Sequence, residues 1–354
     1  MIKKIFSGQI NNITTAALLV ALSSLISRFL GIFRDRILAG QFGAGDTLDI
    51  YYAAFRIPDL IFNLIVLGAL SAGFIPIFTG LINDPLEKIK GIFAGEKNKE
   101  AWRRANNILN IMMIGLAVLS LLGIIFAEPF IKLLTPGFIG EKRDLTVALT
   151  RIMFLSPIFL GISGVIGGAL QSFKRFFTYS LAPIFYNVGI IIGALYFVPL
   201  WGVYGLAWGV VLGAGLHFLI QLPTAWHLGF KYKAIIDFKD KNARRIWRMM
   251  VPRTLALAIS QINFVVITII ASTLAGGSLA IFNFANNLQS FPIGIFGISF
   301  ATAVFPALSA FAFNEKKLVE NFSSALRQIF FFIIPSTVLL LTLRAQIIRV
   351  VLGS

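Results

Sequence analysis

Apolar runs long enough to cross a lipid bilayer recur along the whole 354-residue chain. A membrane-spanning helix needs about 20 mostly apolar residues, whereas a transmembrane β-barrel shows segments of about ten residues with alternating polarity. The runs in this chain do not alternate, so the sequence predicts an all-α integral membrane protein. Composition agrees, because only 13% of the residues are charged and a soluble domain carries about 25%.

The apolar runs predict about nine membrane-spanning helices. The last of them is short and is expected to begin near Ala325. The predicted spans cover residues 14–40, 50–80, 106–127, 147–170, 180–199, 204–226, 250–274, 280–311 and 329–343.

Positive charge is concentrated between the apolar runs and gives the chain a net charge of +16. Most of the basic residues lie in the N-terminal tail and in the loops that begin at residues 81, 171, 227 and 312. Because cytoplasmic loops are enriched in Lys and Arg, the sequence predicts a cytoplasmic N-terminus. This arrangement favours anionic membrane lipids as partners and disfavours nucleic acid. Two basic connections, Leu86–Asn106 and Phe230–Arg248, are expected to be either short helices on the anionic inner leaflet or solvated loops.

The sequence offers no pattern typical of an enzyme or of a cofactor site. It contains no cysteine, which excludes disulfides and thiol chemistry. His217 and His227 are ten residues apart, which is not the i, i+4 spacing of a helical metal site. We therefore expect neither catalysis nor a bound metal or organic cofactor.

A weak internal repeat divides the chain. The segment GAGDTLDIYYAAFRIP, from Gly43, resembles GGSLAIFNFANNLQSFP, from Gly276, in its order of small, apolar and polar residues and its final proline. Internal repeats are common in transporters. The repeat predicts a six-helix lobe over residues 1–229 with a basic loop at 81–105, a basic linker at 230–249, and the first three helices of a second lobe over 250–354. On this interpretation the chain alone is not a competent transporter, and downstream sequence, a partner chain or self-association completes the second lobe.

Ionisable residues inside the predicted spans mark the candidate binding site, because each costs roughly 2.5–3.5 kcal/mol at membrane depth. They could pair as interhelical contacts, as Arg34 with Asp35 and Asp49 with Arg56, or they could line a cavity. Arginines outnumber acids there, and surplus guanidinium groups suit a phosphate ligand. The candidate substrate-binding residues are Arg28, Arg34, Asp35, Asp49, Arg56, Asn283 and Asn287.

Helix-breaking residues occupy matching places in the two copies of the repeat. Pro58 and Gly68 interrupt the second span, and Pro292 and Gly297 interrupt the eighth. Such breaks indicate either hinges that bend during transport or static kinks that serve packing.

Several motifs carry a family resemblance that covers essentially the whole chain. They are SRxxGxxRDxxxAxxFGAGxxxD from Ser27, AFRIPD from Ala54, GALSAGFIPIF from Gly68 and ANNLQSFPIGIFGISFATAVFPALS from Ala285. The chain resembles the MurJ (MviN) lipid II flippases, within the multidrug/oligosaccharidyl-lipid/polysaccharide exporter group.

The resemblance implies two six-helix lobes around a cationic cavity in the bacterial inner membrane. It also implies movement of undecaprenyl-pyrophosphate-linked peptidoglycan precursor (lipid II) from the inner to the outer leaflet. The chain departs from many members at Phe62 and Asn287, where they have arginine, and at Leu67, where they have an acid. The alternatives are an exporter of another lipid-linked saccharide or a small cation, and an inactive truncated scaffold.

Overall fold

The computed structural model describes residues 13–68, 73–83, 94–298, 300–301, 304, 308 and 314–353. Within these ranges the chain is all-helical and contains no strand. The helices are α1 (Ile13–Phe42), α2 (Asp46–Ile61), α3 (Ile75–Asn83), α4 (Ala94–Ile125), α5 (Ala127–Leu134), α6 (Glu141–Met153), α7 (Ser156–Ser172), α8 (Phe176–Ile192), α9 (Val198–Trp201), α10 (Tyr204–Leu219), α11 (Leu222–His227), α12 (Lys241–Ser272), α13 (Ser278–Pro292), α14 (Glu315–Thr342) and α15 (Arg344–Leu352).

Six helical stretches among the described residues are long and apolar enough to cross a membrane. The prediction of nine spans is not confirmed. The first predicted span carries four charged residues between 28 and 36, and the second and eighth run into residues outside the described ranges. The six stretches are Glu100–Ile125, Glu141–Ser172, Phe176–Trp201, Tyr204–His227, Lys241–Ser272 and Glu315–Thr342.

Close packing of α8 against α10 depends on small residues. A Cβ atom on Gly189 would collide with the backbone of Gly213, so only glycine lets the two helices approach this closely. Small residues at such contacts are typical of membrane helices, where tight backbone approach replaces the hydrophobic driving force available in water. This contact belongs to the first six-helix region predicted from the sequence.

Helices α12 and α13 pack along the length of α2. Ile246 and Met250 of α12 join a buried cluster with Val66 and Phe74. Near the other end of α2, Phe284 of α13 lies in a second buried cluster that also contains Leu48 and residues 50–54. The segment predicted as a second repeat is therefore held against the first region at both ends of α2.

The linker before α12 differs from one of the two expected forms. Residues 230–237 form no helix, and α12 begins only at Lys241, where the Asp240 carboxylate caps it by accepting the Ala243 N–H at 2.8 Å. An in-plane helix over the whole of Phe230–Arg248 is thus wrong. In the other basic connection, Leu86–Asn106, the residues from Ala94 onward form the first turns of α4. Residues 84–93 lie outside the described ranges.

Candidate functional site

A polar cavity of about 230 Å³ lies between two sets of helices. The first set, α1, α2 and α8, forms one side of the cavity, and the second set, α12 and α13, forms the other. Its lining is polar and aromatic apart from one isoleucine, and it consists of Arg34, Tyr51, Tyr52, Phe55, Arg56, Asp59, Ile190, Gln261, Phe264, Asn283, Asn286 and Asn287.

The first guanidinium group in the cavity belongs to Arg34, which pairs with its neighbour Asp35. Arg34 donates from Nε at 3.0 Å and from Nη2 at 2.8 Å to the same carboxylate oxygen. Its Nη1 donates to the side chain of Asn187 on α8 at 3.1 Å. The second Asp35 oxygen accepts from Asn287 on α13 at 2.8 Å. This network joins α1, α8 and α13, and the predicted pairing of Arg34 with Asp35 is confirmed.

The second guanidinium group belongs to Arg56, which is buried and contacts the opposite helices. It donates to the Thr268 hydroxyl of α12 at 3.1 Å and to the Asn283 side chain of α13 at 3.4 Å. It also lies 5.2 Å from the centre of the Phe264 ring, within the range of a cation–π contact. The pairing of Asp49 with Arg56 that spacing suggested is wrong, because both side chains have other partners.

Several polar groups in the lining are left with free hydrogen-bonding capacity. The Tyr52 hydroxyl is buried and has no partner among the described residues. The side chains of Gln261 and Asn286 face the same space. Because buried polar groups are normally hydrogen-bonded, these groups are suited to a ligand or to ordered water.

Asp49 lies outside the cavity lining, although the sequence grouped it with the substrate-binding residues. Its buried carboxylate accepts the main-chain N–H of Gly277 at 2.8 Å and of Ala280 at 2.9 Å, at the N-terminus of α13. Lys142 lies 3.2 Å from the same carboxylate. Negative charge is stabilised at a helix N-terminus, so Asp49 connects α2 to α13.

Arg28 also lies outside the lining. Its Nη1 donates to the main-chain carbonyl of Ser290 on α13 at 3.1 Å. This contact holds the far end of α13 against α1. The sequence correctly singled out Arg28 as a polar group facing other helices, and the structure identifies the helix that it meets.

The helix-breaking residues adjoin irregular backbone in both copies of the repeat. A π-helical segment, Phe62–Leu67, follows α2 shortly after Pro58, and another, Ile293–Ile298, begins directly after Pro292 and includes Gly297. Gly68 ends the first segment. Segments of this kind mark helix kinks and often occur at functional sites.

Gly68 is also a contact point between the two sets of helices. A Cβ atom there would lie 2.5 Å from the Thr254 hydroxyl oxygen of α12. That hydroxyl donates to the Leu64 carbonyl at 2.9 Å, which satisfies an acceptor in the π-helical segment. Contacts between the sets of helices therefore lie on both sides of the cavity, at Asp49 and at Gly68.

The sequence analysis missed the aromatic part of the lining and also two hydrogen-bond partners of the cavity arginines, Asn187 and Thr268. Each is a single polar residue in an otherwise apolar stretch of helix. An isolated amide or hydroxyl group in a membrane helix is a recognisable signal, but a single sequence does not show which arginine it meets.

The helical architecture and the polar cavity between two sets of helices are those of a multi-pass membrane transporter. The solved structure of "Lipid II flippase MurJ, inward closed conformation" is similar, with a TM-score of 0.75 and 26% identity over 95% of this chain and 68% of that chain. An inward-facing multidrug resistance MATE family transporter of the MOP superfamily shares the fold, with a TM-score of 0.68 and 17% identity over 92% of this chain and 71% of that chain.

Sequence comparison identifies the family. The family model for "Lipid II flippase MurJ" matches residues 38–354. The lipid II flippase MurJ of Burkholderia cenocepacia is 31% identical over 84% of this chain and 57% of its own length. A probable lipid II flippase MurJ of Buchnera aphidicola is 30% identical over 95% of this chain and 65% of its own length.

The chain therefore belongs to the MurJ family of lipid II flippases, which are transporters and not enzymes. It spans about 57–65% of the length of these two curated relatives.

Proposed function

We propose that this chain takes part in moving lipid II from the inner to the outer leaflet of the bacterial inner membrane by alternating access. The observation that carries the proposal is the cavity between the two sets of helices, which Arg34 and Arg56 line in a member of this family. Guanidinium groups bind phosphate oxygens through charge-assisted hydrogen bonds. The pyrophosphate of lipid II supplies such oxygens.

The proposed roles of the site residues differ with their position. Arg34, Arg56, Asn283 and Asn287 contact the substrate, and Asp35 holds Arg34 in place. Arg28 and Asp49 act on the site through α13. The helix-breaking residues in or near the two π-helical segments, Pro58, Gly68, Pro292 and Gly297, serve as hinges.

The size of the cavity supports a mechanism that includes opening. Its 230 Å³ is below the roughly 300–1,000 Å³ of typical small-molecule sites, and the head group of lipid II is larger than most such ligands. Entry of the head group therefore requires the helices to separate at one of the two contact points, near Asp49 or near Gly68.

Lipid II binding to the purified chain tests the proposal. A charge-assisted contact contributes on the order of 1.5–3 kcal/mol, so Arg34→Ala should weaken binding about tenfold or more. Arg34→Lys should restore only part of it, because lysine lacks the planar fork. The matched control is Arg36→Ala, since Arg36 lies on the same helix but is exposed and donates to the Val350 carbonyl. Equal affinity of Arg34→Ala and the parent would exclude the pyrophosphate role.

The proposed orientation has a cytoplasmic N-terminus and linker, with residues 41–48 outside. The chain contains no native cysteine, so single cysteines can be introduced without background. An impermeant maleimide should label Gln41→Cys in intact cells and should label Lys239→Cys only after the membrane is opened. The opposite pattern would reverse the orientation.

A further inference from the structure

Three asparagines of α4 hold the linker between the two sets of helices. Asn106, Asn107 and Asn110 are buried, and their side chains bond to the main chain of the linker. Asn110 donates to the carbonyls of Lys233 at 2.8 Å and Ile235 at 2.9 Å. We call residues 228–240 the strap and these three asparagines the clasp.

The clasp uses both ends of the carboxamide group. Asn106 donates to the Lys231 carbonyl at 2.9 Å and accepts the Lys233 N–H at 3.1 Å. Asn107 donates to the carbonyl of Asp237 at 3.0 Å and accepts its N–H at 2.6 Å. An asparagine carries a donor and an acceptor in fixed geometry, so it can pair with an extended main chain much as a neighbouring β-strand does. The strap backbone is therefore fixed by bonds that do not use the strap's own side chains.

Those side chains are basic and aromatic, and most of them are exposed. Lys231, Lys233 and Lys239 are exposed and form no ion pair among the described residues. Tyr232 is 60% exposed and Phe238 is 62% exposed. Exposed apolar side chains that cluster in this way mark interaction surfaces.

The acidic residues of the strap do not neutralise its lysines. A carboxylate oxygen of Asp237 accepts the main-chain N–H of Lys239 at 2.8 Å, and Asp240 caps α12 through the Ala243 N–H. The positive charge also continues into the exposed Lys241, Arg244, Arg245 and Arg248 at the start of α12. The surface is thus strongly cationic.

Candidate membrane spans end at the strap. One finishes at His227 directly before it, another starts at Lys241 directly after it, and a third starts at Glu100 on the helix that carries the clasp. The strap therefore lies at the level where these helices leave the bilayer. Aromatic side chains are enriched at this level, and basic side chains there meet the head groups of anionic lipids.

We infer that the clasp holds the strap as a preformed binding surface for anionic phospholipid head groups. A fixed surface binds with less loss of conformational entropy than a flexible basic loop, so the asparagines contribute to lipid binding without touching lipid. The inference concerns the annular lipid and is independent of which lipid the chain transports.

Lipid competition tests the charge of this surface. The purified chain is placed in bilayers of phosphatidylglycerol and phosphatidylcholine with matched acyl chains, and the retained lipids are counted by native mass spectrometry. Each basic residue near an anionic surface is worth about fivefold in binding. The triple variant Lys231→Gln/Lys233→Gln/Lys239→Gln should therefore lower phosphatidylglycerol enrichment at least about fivefold if one lysine contacts lipid, and up to about 100-fold if all three do.

The control removes the same charge at exposed lysines elsewhere, Lys132→Gln/Lys174→Gln/Lys316→Gln. It should leave most of the enrichment in place. Equal loss of enrichment in both triple variants would overturn the inference that the strap binds lipid. Absence of phosphatidylglycerol enrichment in the parent would also overturn it, and this second result is the one expected if the strap binds an acidic protein.

A second pair of variants tests the clasp without changing charge. Asn106→Ala/Asn107→Ala should speed amide hydrogen exchange at Lys233 and Asp237, whose N–H groups these side chains accept, and should lower phosphatidylglycerol enrichment about threefold. The control is Asn321→Ala, since the Asn321 side chain donates only to the Lys317 carbonyl within its own helix. Faster amide exchange in the strap together with unchanged phosphatidylglycerol enrichment would show that preorganisation does not contribute to lipid binding. If the clasp variant does not fold, the lysine variants decide the test.

Discussion

Replacing Asp49 with asparagine should weaken the contact between α2 and the N-terminus of α13. The parent carboxylate accepts two main-chain N–H groups, from Gly277 and Ala280, while almost fully buried. A hydrogen bond to a charged group contributes about 1.5–3 kcal/mol, and a neutral one contributes about 1 kcal/mol. Asparagine keeps one neutral acceptor and turns an amide donor toward the other N–H. The expected cost is about 2–5 kcal/mol, which is a ~30- to ~4,000-fold rise in the equilibrium constant for separating this contact.

The chain allows this equilibrium constant to be measured even when separation is rare. Ser272 is buried at the end of α12, five residues before Gly277, and its Oγ accepts the Gly137 N–H with nitrogen and oxygen 3.4 Å apart. In a Ser272→Cys background, the rate of modification by a thiol reagent is proportional to the fraction of molecules in which this end is open. The rate should rise with Asp49→Asn by the factor given above.

Asp46 supplies the matched control for this measurement. Its side chain is 65% exposed and pairs with the same Lys142 at 2.6 Å, and exposed pairs contribute about 0–1 kcal/mol. Asp46→Asn should therefore raise the modification rate less than about fivefold. Equal rates in the two variants would refute the reasoning, because they would show that the helix-capping bonds of Asp49 do not hold this end.

Two further predictions concern glycines at close helix contacts. Gly68→Ala should open the contact with α12 at a cost of about 1–3 kcal/mol. Adding Thr254→Ala should recover part of that free energy, because it removes the hydroxyl that the new methyl group meets. Spin-label distances between α2 and α12 measure both effects, and a double variant as open as the single one would contradict the steric cause. Gly189→Ala should lower the thermal stability of the detergent-solubilised protein, whereas Gly215→Ala, whose new methyl group would meet nothing within 4 Å, should not; equal losses would argue against close packing of α8 on α10.

The sequence predicted the type of fold and part of the site well, because membrane insertion imposes simple rules. The cost of placing polar groups in hydrocarbon explains three of these features. They are the long apolar helices, the absence of strands among the described residues, and the Arg34–Asp35 pair. The placement of Arg34 and Arg56 in one cavity was also predictable, because both are ionisable residues inside predicted spans. Family membership followed from motifs that contain these same residues.

Partners from distant parts of the chain were not predictable in the same way. Asp49 and Arg56 lie two turns apart on one face of a helix, and this shared face alone suggested that they pair. The structure brings residues more than 200 positions away to each of them, Gly277 to Asp49 and Thr268 to Arg56. Helix capping by a side chain from another helix leaves no local signature, so a single sequence cannot reveal it.

The clasp on α4 bears on how this region of the chain can change over evolutionary time. Its asparagines bond only to main-chain atoms, so the strap residues whose side chains are exposed and make no bond, such as Tyr232 and Ala234, can be replaced without losing a bond to the clasp. Proline is the exception at positions 233 and 237, where the N–H group is the donor. Among relatives that keep this arrangement, the order of residues in the strap should therefore drift quickly as long as its positive charge is kept, whereas 106, 107 and 110 should change slowly. An alignment of the strap alone would then not show what holds its backbone, because the asparagines that do so lie on a different helix more than 100 residues earlier.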